Sequence, residues 1–71
     1  MSRQDLVEIA GIVVEMAHGI YRVECDNGHV VKARLKKRLN RHRIRIVLGD
    51  RVTVGVSPYD PDRGFITYRH R

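Results

Sequence analysis

Leu35-Lys36-Lys37-Arg38-Leu39-Asn40-Arg41-His42-Arg43-Ile44-Arg45-Ile46 stands in the middle of the chain and divides it in two. Six of these twelve residues are Lys or Arg, and no acid occurs between Asp26 and Asp50. Residues 27–49 hold eight bases and no acid, whereas the other forty-eight residues hold six bases and eight acids. The formal charge of +6 is thus +8 from one third of the chain and −2 from the rest. Charge so localised acts as a patch, and like charge without interleaved acids costs stability unless a polyanion offsets it. Leu35 and Leu39 lie four apart, the spacing at which one short helical turn buries both and leaves Lys36, Lys37 and Arg38 in water. Asn40 accepts the left-handed conformation that ends such a turn.

On either side of this connector the apolar period is two, the period of strands. Upstream, Val7, Ile9, Gly11 and Val13 alternate with Glu8 and Ala10 in a first strand from Leu6 to Met16. Gly11 within it marks a bulge, or a bend where a long strand turns a barrel corner. Ala17-His18-Gly19 breaks the strand. Tyr21, Val23 and Cys25 form one face of a second strand, and Asp26-Asn27-Gly28 is a hairpin signal because Asn and Gly accept positive φ cheaply. Val31, Ala33 and Leu35 return as a third strand with Lys32 and Arg34 pointing outward beside Arg22. Downstream, Ile44 and Ile46 face inward while Arg43 and Arg45 face outward. Gly49-Asp50 turns the chain into a fourth strand with Val52, Val54 and Val56 inward. Residues 57–64, Ser-Pro-Tyr-Asp-Pro-Asp-Arg-Gly, read as a loop. Tyr59 packs over the barrel end beside Pro58 in this reading. Residues 65–69 read as a last short strand with Ile66 and Tyr68 on its inner face.

Five strands with a helical connector between the third and fourth is the order of the OB-fold, a partly open Greek-key barrel. An SH3-like barrel has similar length, and the connector decides between them. The predicted fold is therefore all-β, one five-stranded OB domain over residues 1–71, with frayed residues 1–5 and a basic tail at residues 69–71.

Seventy-one residues allow only a thin core. The lone Cys25 cannot form an internal disulfide, which fits a reducing compartment. No apolar run reaches the roughly 20 residues that span a bilayer, and Met-Ser-Arg-Gln-Asp lacks the apolar block of a signal peptide. The sequence predicts a cytoplasmic protein with no membrane partner, and a monomer when free.

Catalysis has little to stand on. Cys25 and His29 flank one turn, but a nucleophile needs an orienting third group and oxyanion donors that a tight hairpin does not supply. Cys25 also shares the apolar face with Val23, as an inert buried thiol does. His18, His29, His42 and His70 are scattered without ligand spacing, and no Gly-rich phosphate loop precedes a helix. The reading is therefore no enzyme, no metal and no cofactor. A cold-shock-like single-strand binder is the alternative, and that class stacks bases on displayed aromatics. Here the aromatics are Tyr21, Tyr59, Phe65 and Tyr68, of which only Phe65 reads as outward. One stacking contact is available and a stacking platform is not. The expected interface is electrostatic, with Lys36, Lys37, Arg38 and Arg41 as phosphate contacts from the connector. Arg43 and Arg45 continue it, Arg69 and Arg71 extend it from the tail, and Arg63 in the loop is a weaker candidate.

Over nearly its whole length the chain resembles the bacterial translation initiation factor one family, which is S1-like. The residues that carry the resemblance are Val7-Glu8-Ile9 with Gly11, Tyr21-Arg22-Val23-Glu24, and Asp26-Asn27-Gly28-His29-Val30-Val31. After the basic connector come Ile44-Arg45-Ile46 and Gly49-Asp50-Arg51-Val52-Thr53-Val54, then Pro58-Tyr59-Asp60, Arg63-Gly64, Ile66 and Arg69. The resemblance implies an RNA-binding protein in the decoding (A) site of the small ribosomal subunit. There it would contact ribosomal RNA and a neighbouring ribosomal protein, block early tRNA entry and assist the other two initiation factors. Departures from the family pattern are Lys37 for Gly and Asn40 for Arg in the connector, Arg43 for an aromatic, and Phe65 for Arg. The loop at Ala17-His18-Gly19 is one residue short. These departures are compatible with a divergent second copy of the factor.

Overall fold

The computed structural model describes residues 6–35 and 45–70. The expected helical turn at residues 35–42, its anchor Leu39, and Ile44 fall wholly or largely outside them, as do residues 1–5 and Arg71. The described residues form five strands: β1 (Val7–Ala17), β2 (Ile20–Cys25), β3 (Val30–Leu35), β4 (Arg51–Ser57) and β5 (Asp60–Arg69). They close a barrel in the order β1-β2-β3-β5-β4, with β4 pairing back onto β1. All pairings are antiparallel except β3 with β5. The fold is the expected all-β OB barrel.

β1 closes the barrel by serving two neighbours. Val7 to Ile12 pair with β4, and Gly11 to Ala17 pair with β2. Gly11 lies where the two pairings overlap, opposite Cys25 on one side and Val52 on the other. A Cβ there would lie 2.7 Å from both the Glu24 carbonyl oxygen and Val23 Cγ1. Glycine is what permits this close approach, at the seam where β1 passes from one neighbour to the other. The bulge itself falls later: Val13 faces Val23 and Glu15 faces Arg22, leaving Val14 as the extra residue. The β1–β2 turn uses His18 and Gly19 at positive φ (52° and 77°), the pattern of a two-residue hairpin.

The core is Val13, Val23, Cys25, Val31, Ala33, Ile46, Val52, Val54, Val56 and Ile66, with Ile9, Tyr21 and Leu35 packed against it. β-Branched side chains suit it, since their restricted χ1 costs little in strands. Val7, expected inward, is exposed at the open end of β1.

The last strand is longer than the sequence implies. Only Pro58 and Tyr59 form the turn, and β5 begins at Asp60. Gly64 still meets Val56, and Ser57 meets Asp60, so residues 61–63 are an excess on β5 against β4. That irregularity accommodates Pro61, which has no N–H to give. Arg63 is consequently a strand residue opposite Lys32 on β3. Tyr68 also departs from expectation. Val54 faces Ile66 and Thr53 faces Tyr68, so Thr67 is an extra residue that reverses the alternation and turns Tyr68 outward. Tyr59 is 87% exposed and does not cover the barrel end.

Gly11→Ala should cost about 1–3 kcal/mol through overpacking. Gly55→Ala should change stability by less than about 1 kcal/mol, because its Cβ would meet Thr67 Cγ2 at an ordinary 3.4 Å. Urea unfolding of the two variants measures the difference.

Candidate nucleic-acid interface

Two groups of cations are displayed by this frame. The first lies around residues 45–50. Arg45 is exposed, and the next residue, Ile46, is 3% exposed and fixes the segment to the core. Asp50 closes the segment. Its Oδ2 accepts the Val47 N–H at 3.0 Å, and its backbone N–H donates to the Val47 carbonyl at 3.1 Å. The same Oδ2 lies 3.4 Å from Arg69 Nε. The backbone also ties this turn to the β1 bulge, through Val13 N–H to Asp50 O at 3.0 Å and Gly49 N–H to Val13 O at 2.8 Å. Arg69, at the end of β5, is therefore held beside the segment that Arg45 opens. His70 follows it and is fastened to β4 by its N–H to Arg51 O and its Nε2 to Thr53 Oγ1, both 2.8 Å. Of the other sequence-predicted contacts, Lys36, Lys37, Arg38, Arg41, Arg43 and Arg71 lie outside the described residues.

The second group is not evident as a site in the sequence. Arg22 on β2 faces Lys32 on β3, which faces Arg63 on β5. Arg34 on β3 faces Phe65 on β5 one step further along. Adjacent strands lie about 4.8 Å apart, so three cations line up across roughly 10 Å of sheet. Among the described residues Arg22 is paired with Glu15 at 3.1 Å, while Lys32, Arg34, Arg45 and Arg63 have no carboxylate partner. The alternation of Arg22, Lys32 and Arg34 with buried neighbours places them outward. What the sequence conceals is Arg63, because residues 57–64 read as a loop.

The Cys25 thiol is buried in the barrel, where it makes a weak contact with the Val23 carbonyl at 3.9 Å. Burial, and secondarily the Asp26 charge, pushes its pKa above the ordinary 9.0. His29, its neighbour across the turn, is exposed and bonds Asp62 at 2.9 Å instead. No group of three His, Cys, Asp or Glu among the described residues could hold a metal ion.

The family model for translation initiation factor 1A / IF-1 matches residues 2–71. This chain belongs to that family. It is 44% identical to the translation initiation factor IF-1 of Rickettsia bellii (strain OSU 85-389), over all of this chain and 99% of the relative. The solution structure of translation initiation factor IF-1 from the Wolbachia endosymbiont strain TRS of Brugia malayi is 34% identical. It superposes with a TM-score of 0.79 over 96% of this chain and 82% of the other. YjeQ from Thermotoga maritima shares the fold, with a TM-score of 0.75 at 24% identity, over 92% of this chain and 23% of that one. Membership gives the protein a role with the ribosome in translation initiation, in a family of initiation factors and not of enzymes.

Arg69→Ala should lower stability by up to about 1 kcal/mol, since its partly exposed pair with Asp50 is lost. Arg45→Ala should leave the melting transition in place. For Cys25, labelling with a thiol reagent at mildly alkaline pH should be far slower in the native protein than in denaturant. Because the folded pKa is raised, the stability this neutral thiol contributes is full below about pH 9 and lost as pH rises through the folded value.

Proposed function

We propose that this initiation factor acts as a single-domain cytoplasmic protein, monomeric when free, that binds ribosomal RNA in the decoding (A) site of the small subunit. In this role it also touches a neighbouring ribosomal protein, blocks early tRNA entry and assists the other two initiation factors. The observation that carries the reading is charge placement in a chain of this family: eight bases and no acid in residues 27–49. Lys36, Lys37, Arg38, Arg41, Arg43 and Arg45 are the phosphate contacts of the connector, and Arg69 and Arg71 flank them. Phosphate contacts position a protein on RNA and read its shape, which suits a folded RNA target more than a base sequence.

Binding to purified small subunits should be far tighter than binding to a random RNA oligomer at physiological salt. Equal affinities would favour a cold-shock-like RNA chaperone. If about five phosphates are neutralised, log K should fall with log salt at a slope of about −3 to −5. Replacing Arg41 and Arg45 together by Ala should make the slope shallower by about two contacts and leave the fold intact. A double variant that unfolds, or keeps the wild-type slope, would place the interface elsewhere.

A further inference from the structure

One end of the barrel differs in character from its cationic flank. Between the β2–β3 turn and the start of β5 lies a hollow of about 370 Å³, lined by Ile9, Asn27, Gly28, His29, Val56 and Pro61. That volume is at the small end of the roughly 300–1,000 Å³ of ligand pockets, enough to seat a side chain. Ile9, Val56 and Pro61 give it an apolar wall. The other wall is the turn, and the turn is held in shape. Asn27 Oδ1 accepts the His29 N–H at 2.9 Å, and the Gly28 N–H donates to the Cys25 carbonyl at 2.8 Å. His29 Nε2 bonds Asp62 at 2.9 Å, which ties the turn to β5. Val7, paired with Val56, is 48% exposed at the same end of β1. Tyr59, in the turn between β4 and β5, is 87% exposed.

Charge here is opposite in sign to that of the connector. Residues 7–10, 26–29 and 56–62, which bound the hollow, contain Glu8, Asp26, Asp60 and Asp62 and neither Lys nor Arg. Arg51 offsets Asp26 at 2.7 Å and His29 engages Asp62, while Glu8 and Asp60 have no basic partner among the described residues. Asp60 also borders the cationic flank, where Arg63 lies opposite Lys32. An acidic surface repels a polyanion, so RNA does not suit this end. An apolar hollow beside an exposed tyrosine suits a protein. Tyrosine is enriched at interface hot spots, and complementary charge steers a partner and fixes its register.

We propose that this end of the barrel docks a basic protein segment, which seats one aliphatic side chain in the hollow beside Tyr59. Lys or Arg residues flanking that side chain meet Glu8 and Asp60. The connector and the acidic end thus serve different partners, RNA and protein. The site rests on the ribosomal reading above for where its partner is found, and on its own shape and charge for what that partner is.

Tyr59→p-benzoylphenylalanine, bound to purified small subunits with the other two initiation factors, should photo-crosslink to protein, at a peptide with an aliphatic residue flanked by Lys or Arg. Crosslinks to RNA alone, to an acidic peptide, or none at all from a bound factor would overturn the site. Tyr59→Ala and Tyr59→Arg lie far from the core, and each should speed release from those subunits about tenfold. An Arg variant released more slowly than wild type would put RNA there instead. The chain has no tryptophan, so Tyr59→Trp is a local reporter. Its emission should respond saturably to a peptide of one leucine between lysine pairs, and not to the same peptide with serine for leucine or glutamate for lysine. An equal response to the serine peptide would leave charge alone and overturn the seating of a side chain. Self-association of the wild-type protein that Tyr59→Arg abolishes would overturn the choice of partner in favour of a second copy. Failure of the wild-type protein to bind small subunits, with the leucine-peptide response intact, would defeat the ribosomal reading and leave the docking end standing.

Discussion

A single strand with two partners holds this molecule closed. β1 gives its first half to β4 and its second half to β2, and Gly11 and Ile12 are the residues at which both neighbours are present. Without that overlap the sheet would end in two unpaired edges, and edges are where sheets pair with other chains. The closure leaves no room for a Cβ at residue 11, because the Glu24 carbonyl and the Val23 side chain already occupy its place. Val13, Val23, Val52 and Cys25 are all buried around this seam. The valine-rich core is packed against a backbone approach that only glycine at residue 11 permits.

Closure also decides where charge can go. Inward positions are filled by small apolar side chains, and no charged or polar residue among those described is buried. The cations of β2, β3 and β5 therefore have only the outer face, where register sets Arg22, Lys32 and Arg63 side by side. The barrel does little to relieve this repulsion with its own acids. Three of them are engaged elsewhere: Asp26 on Arg51, Asp50 on Arg69, and Asp62 on His29. Exposed pairs of this kind contribute little stability each, typically under about 1 kcal/mol. Asp50 is the exception in position, since one carboxylate oxygen serves both the Val47 N–H and the Arg69 guanidinium. It joins the turn before β4 to the end of β5, and so places Arg45 and Arg69 about the same segment.

Much of this is legible in the sequence. Alternation in residues 21–35 and 52–56 identifies the inward faces of β2, β3 and β4 correctly, because half-buried strands with polar outer faces have a clear period of two. The resemblance to the initiation factor family is confirmed by family membership over residues 2–71. β5 is misread for physical reasons. Pro58, Asp60, Pro61, Asp62 and Gly64 favour turns locally, yet parallel pairing with β3 keeps residues 63–66 in the sheet. Tertiary pairing overrides local preference there. Tyr68 reads as inward only when period two is extrapolated past Ile66, and the extra residue Thr67 cannot be seen by counting. The connector cations are readable as a charge block, whereas the row of cations across β2, β3 and β5 requires the pairing of strands distant in sequence.

The two cationic regions differ in what they can recognise. A run of Lys and Arg such as residues 36–45 offers phosphates a dense line of charge, and its attraction is screened as salt rises. The outer face of β3 and β5 instead sets Phe65 beside Arg34 and Arg63 beside Lys32, an exposed aromatic among cations. Where the family pattern has Arg, this chain has Phe65, an aromatic side chain 46% exposed on the outer face. The exchange costs the barrel little, since residue 65 faces Gly55 on one side and Arg34 on the other and lies outside the core. A substitution neutral for the fold but large in chemistry alters what the outer face offers and leaves what holds the barrel closed unchanged.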